Sequence, residues 1–142
     1  MVMSQAPITV ERTINVPLER VWRLWTEVDH IRNWCHASDD WHAPEAENNV
    51  HVGGRFRTAM AARDGSAGFD FTGTYTQVLY RRLIEYRIDD GRKVSISFTP
   101  LGLQTRLVET FDPEDVNPRE MQEAGWRAIL ENFGVYAEAQ QK

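Results

Sequence analysis

The stretch from Asn117 to Ala139 constrains this chain most, because it reads as one long helix with a face that must be covered. Asn117 is placed to cap it, Pro118 suits the first helical position, and Glu120 falls where a capping-box acid belongs. About 22 residues rising roughly 1.5 Å each make a rod of about 33 Å, enough to cross a small domain. Trp126, Ile129, Phe133 and Tyr136 recur at helical spacing and form one apolar face. Met121, Gly125, Ala128 and Asn132 form an adjoining strip, and Arg119, Glu123, Arg127, Glu131 and Glu138 fall on the solvated side. A glycine inside a helix costs about 1 kcal/mol relative to alanine. Gly125 therefore implies either close contact between helix and sheet or room left for a ligand.

The rest of the chain supplies the surface that receives this rod. Ile8, Val10, Arg12 and Ile14 share one face of a first strand, with Arg12 standing among apolar neighbours. Pro17 opens a short helix that buries Leu18, Val21, Trp22 and Trp25. Asp29 is placed to cap a second short helix carrying Ile31, Trp34 and Cys35. From His36 to Asn49 the chain is polar and reads as an irregular loop. Alternating strands follow. Phe56, Thr58 and Met60 share one face, then Phe69, Phe71, Gly73 and Tyr75, then Ile84, Tyr86 and Ile88, then Val94, Ile96 and Phe98, then Leu107, Glu109 and Phe111. Asp64-Gly65 and Asp89-Asp90-Gly91 are tight-turn signals, Pro100 to Gly102 turns the chain again, and Gly73 within a strand suggests a bend or a close approach. Successive hairpins imply an antiparallel sheet with one packed and one wet face. The fold class is α+β: a curved antiparallel sheet of about six or seven strands gripping a long C-terminal helix, with two short helices after the first strand.

Composition narrows the function. A chain of 142 residues fits one domain, 1–142, with a real core. A formal charge of −5 argues against nucleic acid as the main partner. No apolar run is long enough to span a membrane. Met1 to Pro7 lacks a secretory signal pattern, so a cytoplasmic location is expected. Cys35 is the only cysteine, which excludes an internal disulfide and a multi-cysteine metal site in one chain. No cofactor motif is present.

Several stretches together resemble the START-like SRPBCC superfamily, the helix-grip fold, and within it the activator of heat shock protein 90 ATPase homologue-like family. They are Pro17-Leu18-Glu19-Arg20-Val21-Trp22-Arg23-Leu24-Trp25-Thr26, Val52-Gly53-Gly54-Arg55-Phe56, Asp64-Gly65-Ser66, Phe71-Thr72-Gly73-Thr74-Tyr75 and Ala124-Gly125-Trp126. Trp41 to Asn48 looks like one bacterial subgroup of that family. Trp34-Cys35 stands where many members carry a Trp-Trp pair. The resemblance implies an apolar cavity between sheet and helix, used in this superfamily for lipids, sterols, polyketides or other small molecules. It also implies that bacterial members mostly lack a defined activity. Chaperone activation fits a single domain poorly, because the eukaryotic co-chaperone has a separate N-terminal domain.

Within such a cavity, Trp34, Phe56, Phe71, Tyr75, Tyr86, Phe98, Glu109, Trp126 and Ile129 are the expected lining, aromatic walls with few fixed polar groups. Arg12 and Glu109 both fall on inward faces of neighbouring strands and are expected to pair or to reach water, since an unpaired buried charge is costly. Arg12 and His42 are candidate polar anchors. His42 with Glu45 or Glu47 has ligand types that zinc accepts, but the spacing matches no metal motif and no metal is assigned. No catalytic triad is evident. The leading reading is a binding protein for a small hydrophobic molecule. Beside it stand an enzyme of the cyclase, dehydratase or hydrolase type using Glu109, His42 or a tyrosine, and an interaction module acting with a chaperone or as a homodimer.

Overall fold

Each alternating stretch forms a strand, and the hairpins between them place those strands side by side. A computed structural model of the chain describes residues 6–140; most of the segment read above for a signal pattern lies outside them. The order is β1 (Ile8–Ile14), α1 (Leu18–Thr26), α2 (Val28–Trp34), β2 (Trp41–Asn48), β3 (Arg55–Ala62), β4 (Gly68–Leu79), β5 (Leu83–Ile88), β6 (Lys93–Leu101), β7 (Gln104–Phe111) and α3 (Arg119–Ala139). The seven strands make one curved antiparallel sheet in the order β1-β7-β6-β5-β4-β3-β2. The first strand thus pairs with the last, and α1 and α2 carry the chain from one sheet edge to the other.

The concave face carries the expected residues. Ile8, Val10 and Ile14, then Ile84 and Tyr86, then Val94, Ile96 and Phe98, then Leu107 and Phe111 are all buried. Gly65 and Gly91 sit in their turns at φ of 78° and 98°, a region closed to most side chains. Gly73 is a point of close approach: a Cβ there would lie 2.5 Å from the Arg87 carbonyl oxygen and 2.6 Å from the Phe56 ring. Register shifts at Tyr75/Gln77 and at His42/Glu45 add local twist, as β-bulges do.

Four local expectations are corrected. Residues 41–48, read as loop, form the edge strand β2. Its polar composition and Pro44 hid it, and both are what an unpaired edge tolerates. Pro100 lies within β6 opposite Thr105, so the chain reverses one residue later than expected. Neither Asn117 nor Asp29 caps a helix with its side chain. Instead the Gln122 side chain ties down the start of α3: its Oε1 accepts from the Glu114 amide at 2.8 Å, and its Nε2 donates to the carbonyls of Glu114 and Asn117 at 3.0 and 2.8 Å.

The buried seam of α3 also differs from the expected one. Leu130, Phe133, Gly134 and Ala137 are its fully buried members, while Trp126, Ile129 and Tyr136 are half-buried at its margin. The helix that leans on β1, rather than lying over the middle of the sheet, accounts for this rotation. Gly134 is the glycine of close contact, since a Cβ there would overlap the Arg12 guanidinium. Gly125 is not: a Cβ would meet nothing within 4 Å. Gly125→Ala is therefore expected to stabilise the protein by about 0.5–1 kcal/mol through helix propensity alone, read as a higher urea midpoint. A lower midpoint would mean that the site is more crowded than the backbone shows.

Candidate ligand-binding cavity

Because α3 rests on β1, α1 and α2, the concave faces of β3, β4 and β5 are not covered by helix. The space between them and α3 is a cavity of about 310 Å³, at the small end of ligand sites, which run from about 300 to 1,000 Å³. Trp126 spans it from the helix side. One face of its indole stacks on Phe111, with centroids 4.0 Å apart and planes 10° apart, and its ring meets Phe71 edge-on at 6.1 Å. Opposite, Phe56 packs between Tyr86 at 4.7 Å and Tyr75 at 5.4 Å. Trp34 closes the α2 end, fixed by its Nε1–H donating to the Leu24 carbonyl at 2.9 Å.

Eight of the nine expected lining residues meet here: Trp34, Phe56, Phe71, Tyr75, Tyr86, Glu109, Trp126 and Ile129. Phe98 does not. It is buried against the edges of Trp22 and Trp25, because α1 covers that end of the sheet. Trp25, Ile31, Cys35, Thr58, Met60, Phe69 and Ile96 complete the apolar wall. Thr58, Met60, Phe69 and Ile96 share strand faces with predicted residues, so alternation carried that signal. The polar rim of Glu114, Asn117 and Gln122 had none, since it depends on how the segment before α3 folds back.

Glu109 is the chemical focus. Its side chain projects from β7 into the cavity wall and is 5% exposed. Among the described residues nothing donates a hydrogen bond to its carboxyl, and no cation pairs with it. The expected partner, Arg12, is elsewhere. The register sets Glu109 opposite Val10, and Arg12 opposite Leu107. The Arg12 side chain passes beneath Gly134 and pairs with α3 on its far side, at 2.6 Å from Glu131 and 3.4 Å from Glu138. With no partner, burial pushes the Glu109 carboxyl up to about 8, so at neutral pH it holds its proton.

The neighbouring groups are also kept neutral. Burial, with the Glu109 charge second, pushes the Cys35 thiol up to about 12, which makes it a poor nucleophile. The Tyr86 phenol is raised well above its ordinary value, by burial first and Glu109 next. The Tyr75 phenol is raised by burial and donates its proton to Asn48 Oδ1. The Tyr86 hydroxyl has no hydrogen-bond partner among the described residues.

The other polar candidate falls outside this space, and the residues of the metal option are not gathered into a site. His42 lies on β2 opposite Ala61 and does not line the cavity. Glu45 and Glu47 are tied to Arg57 across the strands, at 2.9 and 3.4 Å. Among the described residues no group of three or more His, Cys, Asp or Glu is arranged to hold a metal ion. Nor is any helix among them long and apolar enough to cross a membrane.

Comparison with known proteins places these features in context. The family model described as "Activator of Hsp90 ATPase homolog 1-like protein" matches residues 15–138. The solution structure of an AHSA1-like protein from Aeromonas hydrophila is 44% identical, with 94% of this chain and 93% of that one covered and a TM-score of 0.89. A solution structure from Cytophaga hutchinsonii is 54% identical over 94% of this chain and 92% of that one, at a TM-score of 0.80. A crystal structure from Nitrosomonas europaea, 18% identical over 99% of both chains with a TM-score of 0.82, shares the fold. No functionally curated protein matches the chain.

Proposed function

The chain belongs to the family of activator of Hsp90 ATPase homolog 1-like proteins, and from that membership and the cavity we propose that it binds a small hydrophobic molecule between its sheet and α3. The observation that carries this is the space of about 310 Å³ walled by Trp34, Phe56, Phe71, Tyr86 and Trp126. A folded chain ordinarily closes apolar surface against itself, because unfilled volume costs stability. Here the long helix is held away from β3–β5 by its seat on β1, which leaves aromatic surface for a ligand to cover.

Native mass spectrometry of freshly purified protein should show a retained small molecule, and NMR titration with propylbenzene should shift resonances of Trp34 and Trp126. Ile129 lines the cavity from the half-buried margin of α3. Ile129→Trp is expected to fill the space and weaken propylbenzene binding by tenfold or more, roughly 1.4 kcal/mol, while the protein stays folded. Equal binding by both proteins would remove the cavity from the argument.

A second reading, an acid–base enzyme in the same cavity, is favoured by one observation, the buried carboxyl of Glu109 standing without a partner in an apolar wall. Turnover that vanishes in Glu109→Gln would select it.

A further inference from the structure

We propose that the ligand carries a carbonyl oxygen, which sits between the Glu109 carboxyl and the Tyr86 hydroxyl and accepts a hydrogen bond from each. The inference rests on the cavity-binding reading above and concerns which class of molecule the cavity takes. Glu109 on β7 and Tyr86 on β5 are 5% and 7% exposed, share the concave face, and are close enough to feel each other electrostatically. Their backbone partners on β6, Ile96 for Glu109 and Val94 for Tyr86, lie two residues apart, so the two side chains sit diagonally across one strand.

Both are donors without acceptors. Tyr75, the other phenol on the wall, already donates to Asn48, whose amide in turn donates to the Thr26 carbonyl at 2.8 Å. A neutral carboxyl and a phenol facing an apolar space leave two donors without a partner in the protein, which a ligand that excludes water must satisfy. A ketone, aldehyde, ester or amide oxygen takes two hydrogen bonds and brings no proton of its own. An amine would have to remove the Glu109 proton and bury an ion pair, which is the costlier arrangement.

The charged and titratable groups around Glu109 leave it to act alone. Cys35 follows α2, Tyr75 is on β4 and Tyr86 on β5, all held neutral. Arg92, Glu47 and Glu114 reach the cavity at its rim. Arg92 is paired with Asp90 at 2.8 Å, and burial alone accounts for the raised Glu109 carboxyl.

Three probes with one carbon skeleton test this by NMR titration: propiophenone, propylbenzene and α-ethylbenzylamine. The quantity read is the affinity for propiophenone relative to propylbenzene, which cancels the shared hydrophobic contribution. In the native protein this ratio should fall about tenfold between about pH 6 and about pH 9, as Glu109 loses its proton. In Glu109→Gln, whose amide still donates, the ratio should stay high and flat across that range. In Glu109→Leu it should be about tenfold lower at every pH. If the leucine variant does not fold, the native protein against Glu109→Gln decides. A ratio that is the same in all proteins and at all pH values overturns the carbonyl assignment, and so does tightest binding of the amine. If neither propylbenzene nor propiophenone binds, the cavity reading itself falls.

Discussion

Replacing Glu109 with glutamine raises stability at about pH 8 by roughly 4 kcal/mol and removes most of the pH dependence between about pH 5 and pH 8. The native carboxyl keeps its proton up to about 8, whereas in the unfolded chain it ionises near its ordinary value of 4.5. Below that value both states hold the proton and burial carries no charge penalty. Between the two values only the unfolded state is ionised, so the native state binds more protons. Native stability then falls by up to about 1.4 kcal/mol per pH unit. Above about pH 8 both states are ionised and the fall ends.

Glutamine copies the shape of the neutral acid and does not titrate, so the two proteins should agree to within about 1 kcal/mol at pH 5 and diverge upward from there. His36, whose imidazole burial holds below its usual value, contributes equally in both proteins and cancels from the comparison. Asp89, held down to about 2 by Arg55 and Thr72, has finished titrating well below the window. Urea denaturation at several pH values reads the difference directly. Parallel curves would mean that Glu109 is ionised in the native state and finds a compensating partner.

The elements that alternation or helical spacing could mark were legible in the sequence. Ile84-Tyr86-Ile88, Val94-Ile96-Phe98 and Leu107-Glu109-Phe111 each place a face without reference to the rest of the chain, and the structure buries all of them. The anomaly of an acid on an apolar strand face singles out Glu109, which the structure buries in the cavity wall. What failed was whatever depends on how elements meet. Which strand residue faces Glu109 is a matter of β1–β7 register, and that register separates it from Arg12 by one pleat on the same face. Phe98 has the same local pattern as Tyr86, but α1 covers one and the cavity borders the other. β2 is not legible in the sequence, because an edge strand with Pro44 and two exposed glutamates has neither apolar alternation nor a run of β-formers. Helical spacing sets the seam of α3 on its large side chains, Trp126, Ile129, Phe133 and Tyr136, which rotates it away from the contact the fold makes. The real contact uses Gly134 and Ala137, small residues that allow the helix to approach β1 closely.

That division of α3 into a seated part and a roofing part yields the second large effect. Phe133→Ala should cost about 3–5 kcal/mol. Its ring is fully buried and meets Trp25 and Trp34 edge-on, each at 4.9 Å, so it joins α3 to both short helices at once. The two indoles stack on each other at 4.7 Å and have no room to collapse into the space a phenyl ring would leave. Trp126→Ala removes a larger side chain yet should cost less stability, about 2 kcal/mol, because Trp126 is half-buried and one side of it borders the cavity. The order reverses for binding. Losing the indole that stacks on Phe111 strips a cavity wall and should weaken propylbenzene binding more than losing Phe133, which does not line the cavity. Urea denaturation and NMR titration of both variants measure the two orders independently. If Trp126→Ala proves the more destabilising, the helix is held by its cavity-side tryptophan rather than by its seat on β1, and the space beneath it is a consequence of packing rather than a place kept for a ligand.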